Sequence, residues 1–243
     1  MSSKKTRRHH SSFLLALGAI LVISMTKPLL ADEPITWQGE HMVADQIESR
    51  GILNRDVLRV MRMTPRHLFV PPNVRSMAYE DHPVPIGYGA TISQPYIVAL
   101  MTELLAPSKK HRILEIGTGS GYQAAILGQL AREVYSIEIV PELASAAAQT
   151  LRDLCYNNIT VRQGDGYKGW PERAPFDAII LTAAPPEVPE ALISQLAKGG
   201  RLVAPVGSLW MQELIVIDKS AGGAIRRRSV CPVSFVPMQA VRR

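Results

Sequence analysis

The stretch Glu115-Ile116-Gly117-Thr118-Gly119-Ser120-Gly121 sets a carboxylate ahead of three glycines at alternate positions. Glycine reaches backbone angles closed to other residues and leaves room for a ligand against the main chain. The spacing differs from the G-x-G-x-x-G of dinucleotide sites. A carboxylate at Glu115 would repel a pyrophosphate and suit a cationic ligand, such as the amino acid portion of S-adenosylmethionine. Taken alone, the stretch is equally a tight strand-to-helix turn without a ligand. Glu138 follows Gly117 by 21 residues, a distance at which an acid ending a strand can accept both hydrogen bonds of a ribose diol. Gly164-Asp165-Gly166 adds an acid that can receive an adenine amino group. Singly, Glu138 reads as a surface glutamate and Asp165 as an Asp-Gly turn. Together with the glycine loop they point to a nucleoside cofactor.

These acids need a frame that brings strand ends together. From His111 onward the pattern alternates between short apolar runs and helical periodicity. Arg112 to Ile116, Val134 to Ile139, Ile159 to Arg162, Phe176 to Thr182 and Arg201 to Val206 read as strands. Between them, Tyr122 to Leu130, Pro141 to about Leu154 and Pro189 to Ala197 read as helices, the last stopped by Gly199-Gly200. Leu214 to Ile217 and Ser229 to Val236 add strands with no helix between them, which predicts an antiparallel edge. The fold class is therefore α/β, a doubly wound sheet with ligand sites at the carboxyl ends of its strands. Ahead of it, Val43 to Phe69 reads as short helices broken at Gly51 and stopped at Pro65. Pro71 to Tyr88 is a proline-rich connector, and Tyr96 to Leu105 is a helix. The expected organisation is a leader over 1–31, a helical segment and connector over 32–88, and the α/β domain over 89–243.

Charge argues against a nucleic-acid groove. The chain carries 27 basic and 21 acidic residues, but Lys4, Lys5, Arg7, Arg8 and Lys27 fall in the first 31 residues, which hold no acid. The remainder is nearly neutral, so no basic track is required, and Arg226 to Arg228 read as solvated surface. The basic start, the apolar run from Phe13 to Ile23 and the small Ala31 resemble an export signal. That run is shorter than the roughly 20 residues that cross a bilayer, so no stable membrane anchor is expected. Export places the mature chain in the periplasm, whereas translation from Met42 would leave it in the cytoplasm. Cys155 and Cys231 do not form a metal-ligand set, and no metal site is expected.

The chain resembles the protein-L-isoaspartate (D-aspartate) O-methyltransferases from about Met42 to Val241. The resemblance rests on Ala90-Thr91-Ile92-Ser93-Gln94-Pro95, Glu115 to Tyr122, Gly164-Asp165-Gly166, Ala174-Pro175-Phe176-Asp177, and Gly199 to Gly207. The glycine loop alone would indicate only a class I S-adenosylmethionine-dependent methyltransferase. Thr91 to Pro95, ahead of that loop, points to the narrower family. The resemblance implies a Rossmann-like sheet with a small helical N-terminal part, S-adenosylmethionine as cofactor, isoaspartyl-containing proteins and peptides as substrates, and a monomer. It implies Ser93 as the catalytic residue, with Thr91 and Ile92 shaping the substrate pocket. Glu115, Gly117, Gly119, Gly121, Glu138, Asp165, Gly166 and Gln212 would bind cofactor. Ser93 also reads as a helix N-cap ahead of Pro95. A base-methylating enzyme would set Asn or Asp before Pro-Pro and an aromatic after the fourth strand, where this chain has Thr182-Ala183-Ala184-Pro185-Pro186-Glu187. A small-molecule O-methyltransferase and a cofactor-binding protein without catalysis are the alternatives.

Overall fold

The computed structural model describes residues 38–240. The export signal read in residues 1–31, with its Phe13 to Ile23 run and Ala31, lies outside them.

The predicted alternation becomes one sheet. Its strands are β3 (Arg112–Ile116), β4 (Glu133–Glu138), β5 (Ile159–Gln163), β6 (Phe176–Leu181), β7 (Leu196–Ser208), β8 (Met211–Lys219) and β9 (Ile225–Val233). Their spatial order is β5-β4-β3-β6-β7-β8-β9. The first five strands run parallel, and β8 and β9 close the edge antiparallel. The chain leaves β3 toward β4 and β5, then returns to β3's other side with β6, so strand order reverses at the β3–β6 boundary. That reversal opens a crevice at the carboxyl ends of the strands.

Alternate residues of each strand feed two cores, as strand geometry requires. Ile113, Val134, Ala178 and Ile180 join the apolar cluster on one face, and Leu114, Tyr135, Ile179 and Leu181 the cluster on the other. Each fully buried Ile or Leu contributes roughly 1.5–3 kcal/mol, so this pattern fixes the register of the strands that carry the site. The backbone N–H of Arg112 donates to Asp177 Oδ2 at 2.7 Å, tying the start of β3 to β6.

Helix boundaries differ slightly from expectation. The helix expected to end at Ala197 spans Glu190–Gln195, and β7 begins at once. Gly199 and Gly200 lie inside the strand rather than stopping a helix. Phe176 pairs with Leu196 and Ala178 with Arg201, so the extra residues of β7 form a bulge, with Gly199 at φ +81. The last strand ends at Val233 rather than Val236, because Ser234 onward leaves the sheet.

The N-terminal residues form the expected short helices, including α1 (Arg55–Met63), whose Asn54 cap accepts from the N–H groups of Asp56 and Val57. Met42, Ile47, Val60 and Met61 enter the same apolar cluster as Ile113 and Val134. At the end of the proline-rich connector, β1 (Val84–Gly87) pairs with β2 (Ala90–Ile92) just beyond it in an antiparallel hairpin that the sequence did not suggest. Its turn contains residue 88, where the domain boundary was expected. Helix α2 (Pro95–Leu105) follows directly.

Candidate active site

A cleft of about 230 Å³ opens at the carboxyl ends of β3, β4 and β6. The glycine loop after β3 forms one wall. The N–H of Gly117 donates to the carbonyl of Ile137 at 2.8 Å, and that of Thr182 to the carbonyl of Ile116 at 2.9 Å. The loop is thus held by both neighbouring strands. Gly117 has φ +96, and a Cβ there would sit 2.5 Å from Thr182 Oγ1. Gly117 and Gly119 line the cleft.

Gly121 does not. It lies outside the cleft wall, a Cβ on it would meet Ala147 and Leu151 at an ordinary 3.4 Å, and its φ of +86 at the start of the next helix is what favours glycine. The cofactor role expected of it has no support in this geometry.

Glu138 lies on the cleft wall at the end of β4, 5% exposed. Its Oε2 accepts from the Gly119 N–H at 2.8 Å and its Oε1 from the Val140 N–H at 3.0 Å. Each carboxylate oxygen keeps a further lone pair, so the group is oriented by backbone yet able to accept from a diol. Gly166 also lines the cleft, where a Cβ would strike Ile116 Cγ2. Asp165 stands beside the wall rather than in it, and its Oδ1 caps the next turn by accepting from the Tyr167 N–H at 3.0 Å.

Glu115 departs most from expectation. It is fully buried and is not part of the cleft wall, so it does not directly face a cationic ligand. Its Oε2 accepts from Ser136 Oγ at 2.5 Å, and Ser136 Oγ lies 2.6 Å from the hydroxyl of Thr118, which does line the cleft. Its Oε1 has no hydrogen-bond partner among the described residues. Burial pushes the carboxyl up to about 8, the Ser136 hydrogen bond opposes this, and the nearby Glu138 adds to it.

Thr91, Ile92 and Ser93 line the same cleft as Glu138. The N-cap reading of Ser93 does not hold: the cap position of α2 is Gln94, with no side-chain cap bond. The Gln94 amide instead donates to Asp81, at 3.0 Å to its carbonyl and 2.9 Å to Oδ1. The Ser93 carbonyl accepts from Arg66 Nη2 at 2.7 Å. The Ser93 hydroxyl makes no hydrogen bond among the described residues.

Gln212 is likewise absent from the wall. Its Nε2 donates to the Phe235 carbonyl at 3.0 Å and its Oε1 accepts from the Phe235 N–H at 2.7 Å. That clip holds the segment after β9, whose Val236 to Gln239 form a cleft wall unforeseen in the sequence. The Ala184 N–H donates to Val236 and the Met238 N–H to Ala184, both at 2.9 Å. Tyr88 and Thr182 also line the cleft unforeseen. No local periodicity marks these residues: Tyr88 sits in the hairpin turn, and the segment after β9 arrives through long-range contacts. The two cysteines are free thiols, Cys155 exposed and Cys231 half-buried.

Among the described residues the cleft lining contains Glu138 as its carboxylate and no Lys, Arg or His. A backbone-walled, partly apolar cleft with one acceptor carboxylate fits a positively charged nucleoside and opposes a polyphosphate.

Comparison with known proteins agrees with this geometry. Residues 38–243 match the family model described as protein-L-isoaspartate(D-aspartate) O-methyltransferase. A protein-L-isoaspartate O-methyltransferase of a Synechococcus species is 53% identical over 219 residues, covering 87% of this chain and 89% of that protein. One from Opitutus terrae is 50% identical over 223 residues, covering 92% and 96%. A solved protein-L-isoaspartate O-methyltransferase superposes with a TM-score of 0.74 at 28% identity, covering 83% of this chain and 66% of that one. A Plasmodium falciparum structure described as this enzyme in complex with S-adenosyl-L-homocysteine superposes with a TM-score of 0.72 at 25% identity, covering 83% and 98%.

Proposed function

The chain belongs to the protein-L-isoaspartate(D-aspartate) O-methyltransferase family, and from that premise we propose how its cleft divides the work between cofactor and substrate. The enzyme transfers a methyl group from S-adenosylmethionine to the free carboxylate of L-isoaspartyl residues in damaged proteins and peptides. Glu138 accepts from the cofactor ribose, Gly117, Gly119 and Gly166 give backbone access, and Asp165 meets the adenine from beside the wall. Glu115 acts on the cofactor only through Ser136 and Thr118. Thr91, Ile92 and Ser93 receive the substrate.

When bound, the cofactor supplies a methyl group already activated by a positively charged sulfur. The substrate carboxylate is ionised at neutral pH, so no general base is required of the protein. What the chain contributes is alignment and the exclusion of competing nucleophiles. The Ser93 hydroxyl, unengaged by any described residue and held on the cleft wall, donates to the substrate carboxylate and orients it. That free hydroxyl in the cleft that carries Glu138 is the observation on which this assignment rests. The resulting methyl ester closes to a succinimide, whose hydrolysis returns part of the material to aspartate.

Methyl transfer from labelled S-adenosylmethionine should be measured on two peptides that differ only in L-isoaspartate or L-aspartate at one position. Base-labile label on the isoaspartyl peptide alone is expected. Label on neither, with cofactor binding intact, would favour a small-molecule substrate or a protein without catalysis.

We also propose that the enzyme is exported. The basic start, apolar run and Ala31 support this, and the family match begins at residue 38, ahead of Met42. Met42 is 1% exposed in the core, and Glu40 pairs with Arg62 at 3.1 Å. A start at Met42 would delete that contact and put the chain terminus in the core. Fusing the first 45 residues to a reporter active only outside the cytoplasm should give signal, and a silent fusion would remove the proposal.

A further inference from the structure

Arg66 is 0% exposed, yet it makes no ion pair with a carboxylate among the described residues. Its Nε donates to the Ala78 carbonyl at 2.6 Å and its Nη2 to the Ser93 carbonyl at 2.7 Å, while Nη1 has no partner among the described residues. The guanidinium also lies over the ring of Tyr122, 4.8 Å from its centroid, and Tyr122 is part of the cleft wall. Burial lowers the group to about 10, so it remains charged at neutral pH. A buried cation without a counter-ion is costly, and a packing role alone is served as well by an apolar side chain.

Its position gives it another task. The cleft must hold an anionic carboxylate, and among the described residues its lining has no Lys, Arg or His. Arg66 is the cation bonded to the residue that receives that carboxylate. Charge acts over longer range in a dry interior than in water. The same guanidinium joins the Ser93 turn to Ala78 and to the helix that follows the glycine loop, so substrate and cofactor walls share one buried tether.

We propose that Arg66 is a positioning residue for substrate: it fixes the Ser93 turn through the Ser93 carbonyl and provides the positive charge behind the carboxylate-binding wall. This rests on the reading of Ser93 as the residue that orients the substrate. Arg66 touches neither reactant, so its effect falls on capture and orientation of the peptide more than on the cofactor.

The test compares Arg66→Met, Arg66→Lys and Ser93→Ala for S-adenosylhomocysteine binding and for kcat and KM with an isoaspartyl peptide. R66M should bind S-adenosylhomocysteine within threefold of wild type while kcat/KM falls at least twentyfold, mostly through KM. R66K, which keeps the charge and a donor, should recover at least fivefold of that loss. The proposal is overturned by an R66M enzyme with kcat/KM within twofold of wild type, by R66K no better than R66M, or by binding and activity falling in parallel. If R66M does not fold, Arg66→Gln decides, because it keeps a donor for the Ser93 carbonyl and loses the charge: a raised KM with S-adenosylhomocysteine affinity retained supports the proposal, and an unchanged KM overturns it. S93A should lose at least tenfold in kcat/KM with S-adenosylhomocysteine binding unchanged. Wild-type activity in S93A removes the Ser93 reading and this proposal with it. A defective S93A beside an unaffected R66M removes this proposal alone.

Discussion

Glu138→Ala is expected to weaken S-adenosylhomocysteine binding about 100-fold, equivalent to about 2.7 kcal/mol. Two losses combine. The ribose diol loses its proposed acceptor, and hydrogen bonds to a charged group contribute about 1.5–3 kcal/mol. The N–H groups of Gly119 and Val140 also lose the oxygens that hold them at 2.8 and 3.0 Å, so the glycine loop is no longer oriented. Glu138→Gln should fall between the two, because its amide keeps one acceptor oxygen and turns an N–H toward the other backbone donor. Titration calorimetry checks both variants. A 2′-deoxyribose analogue of the ligand separates the two losses: wild type should discriminate against it, and E138A should not. Equal discrimination by both proteins would show that Glu138 serves only the loop.

The sequence carried the frame of this site better than its walls. The strands ending at Ile116 and Glu138 were legible because buried parallel strands are written as short apolar runs between helical periods. The acids and glycines at their ends follow from chain order alone, so Glu138, Gly117, Gly119 and Gly166 could be placed without coordinates. What pattern does not encode is which side of a loop a residue faces. Glu115 and Gly121 flank the cleft in sequence yet turn into the interior, one toward Ser136 and the other toward Leu151. Gln212 was tied to the cofactor by resemblance and instead works at one remove, through Phe235 and the segment it anchors. That segment was missed because long-range pairing creates it, and the β1–β2 hairpin because its strands, Val84–Gly87 and Ala90–Ile92, are too short to show an alternation and one contains Pro85. Arg66 was illegible for a related reason: nothing in Pro65-Arg66-His67 announces a fully buried charge.

The buried Glu115 carboxyl should make the protein less stable as pH rises from about 4.5 to 8. In the unfolded chain the group titrates near its ordinary value of 4.5, whereas burial holds it up to about 8 in the fold. Between those limits the native protein keeps a proton that the unfolded chain has released. Each pH unit in the window therefore costs about 1.4 kcal/mol of stability. The contribution is complete below pH 4.5, and by pH 7 about 3 kcal/mol of it has gone. Glu115→Gln retains an oxygen for the Ser136 hydroxyl and cannot ionise, so it lacks this dependence. Urea unfolding at pH 5 and pH 7.5 should show the variant close to wild type at the lower pH and clearly more stable at the higher one. Parallel behaviour at both pH values would mean that the native carboxyl is ionised and otherwise compensated. Retaining a group that weakens the fold at neutral pH makes sense if its charge can be called upon by a cationic ligand through Ser136 and Thr118. The same variant should then bind S-adenosylhomocysteine more weakly while resisting urea better, and a variant improved in both respects would deny Glu115 any part in binding.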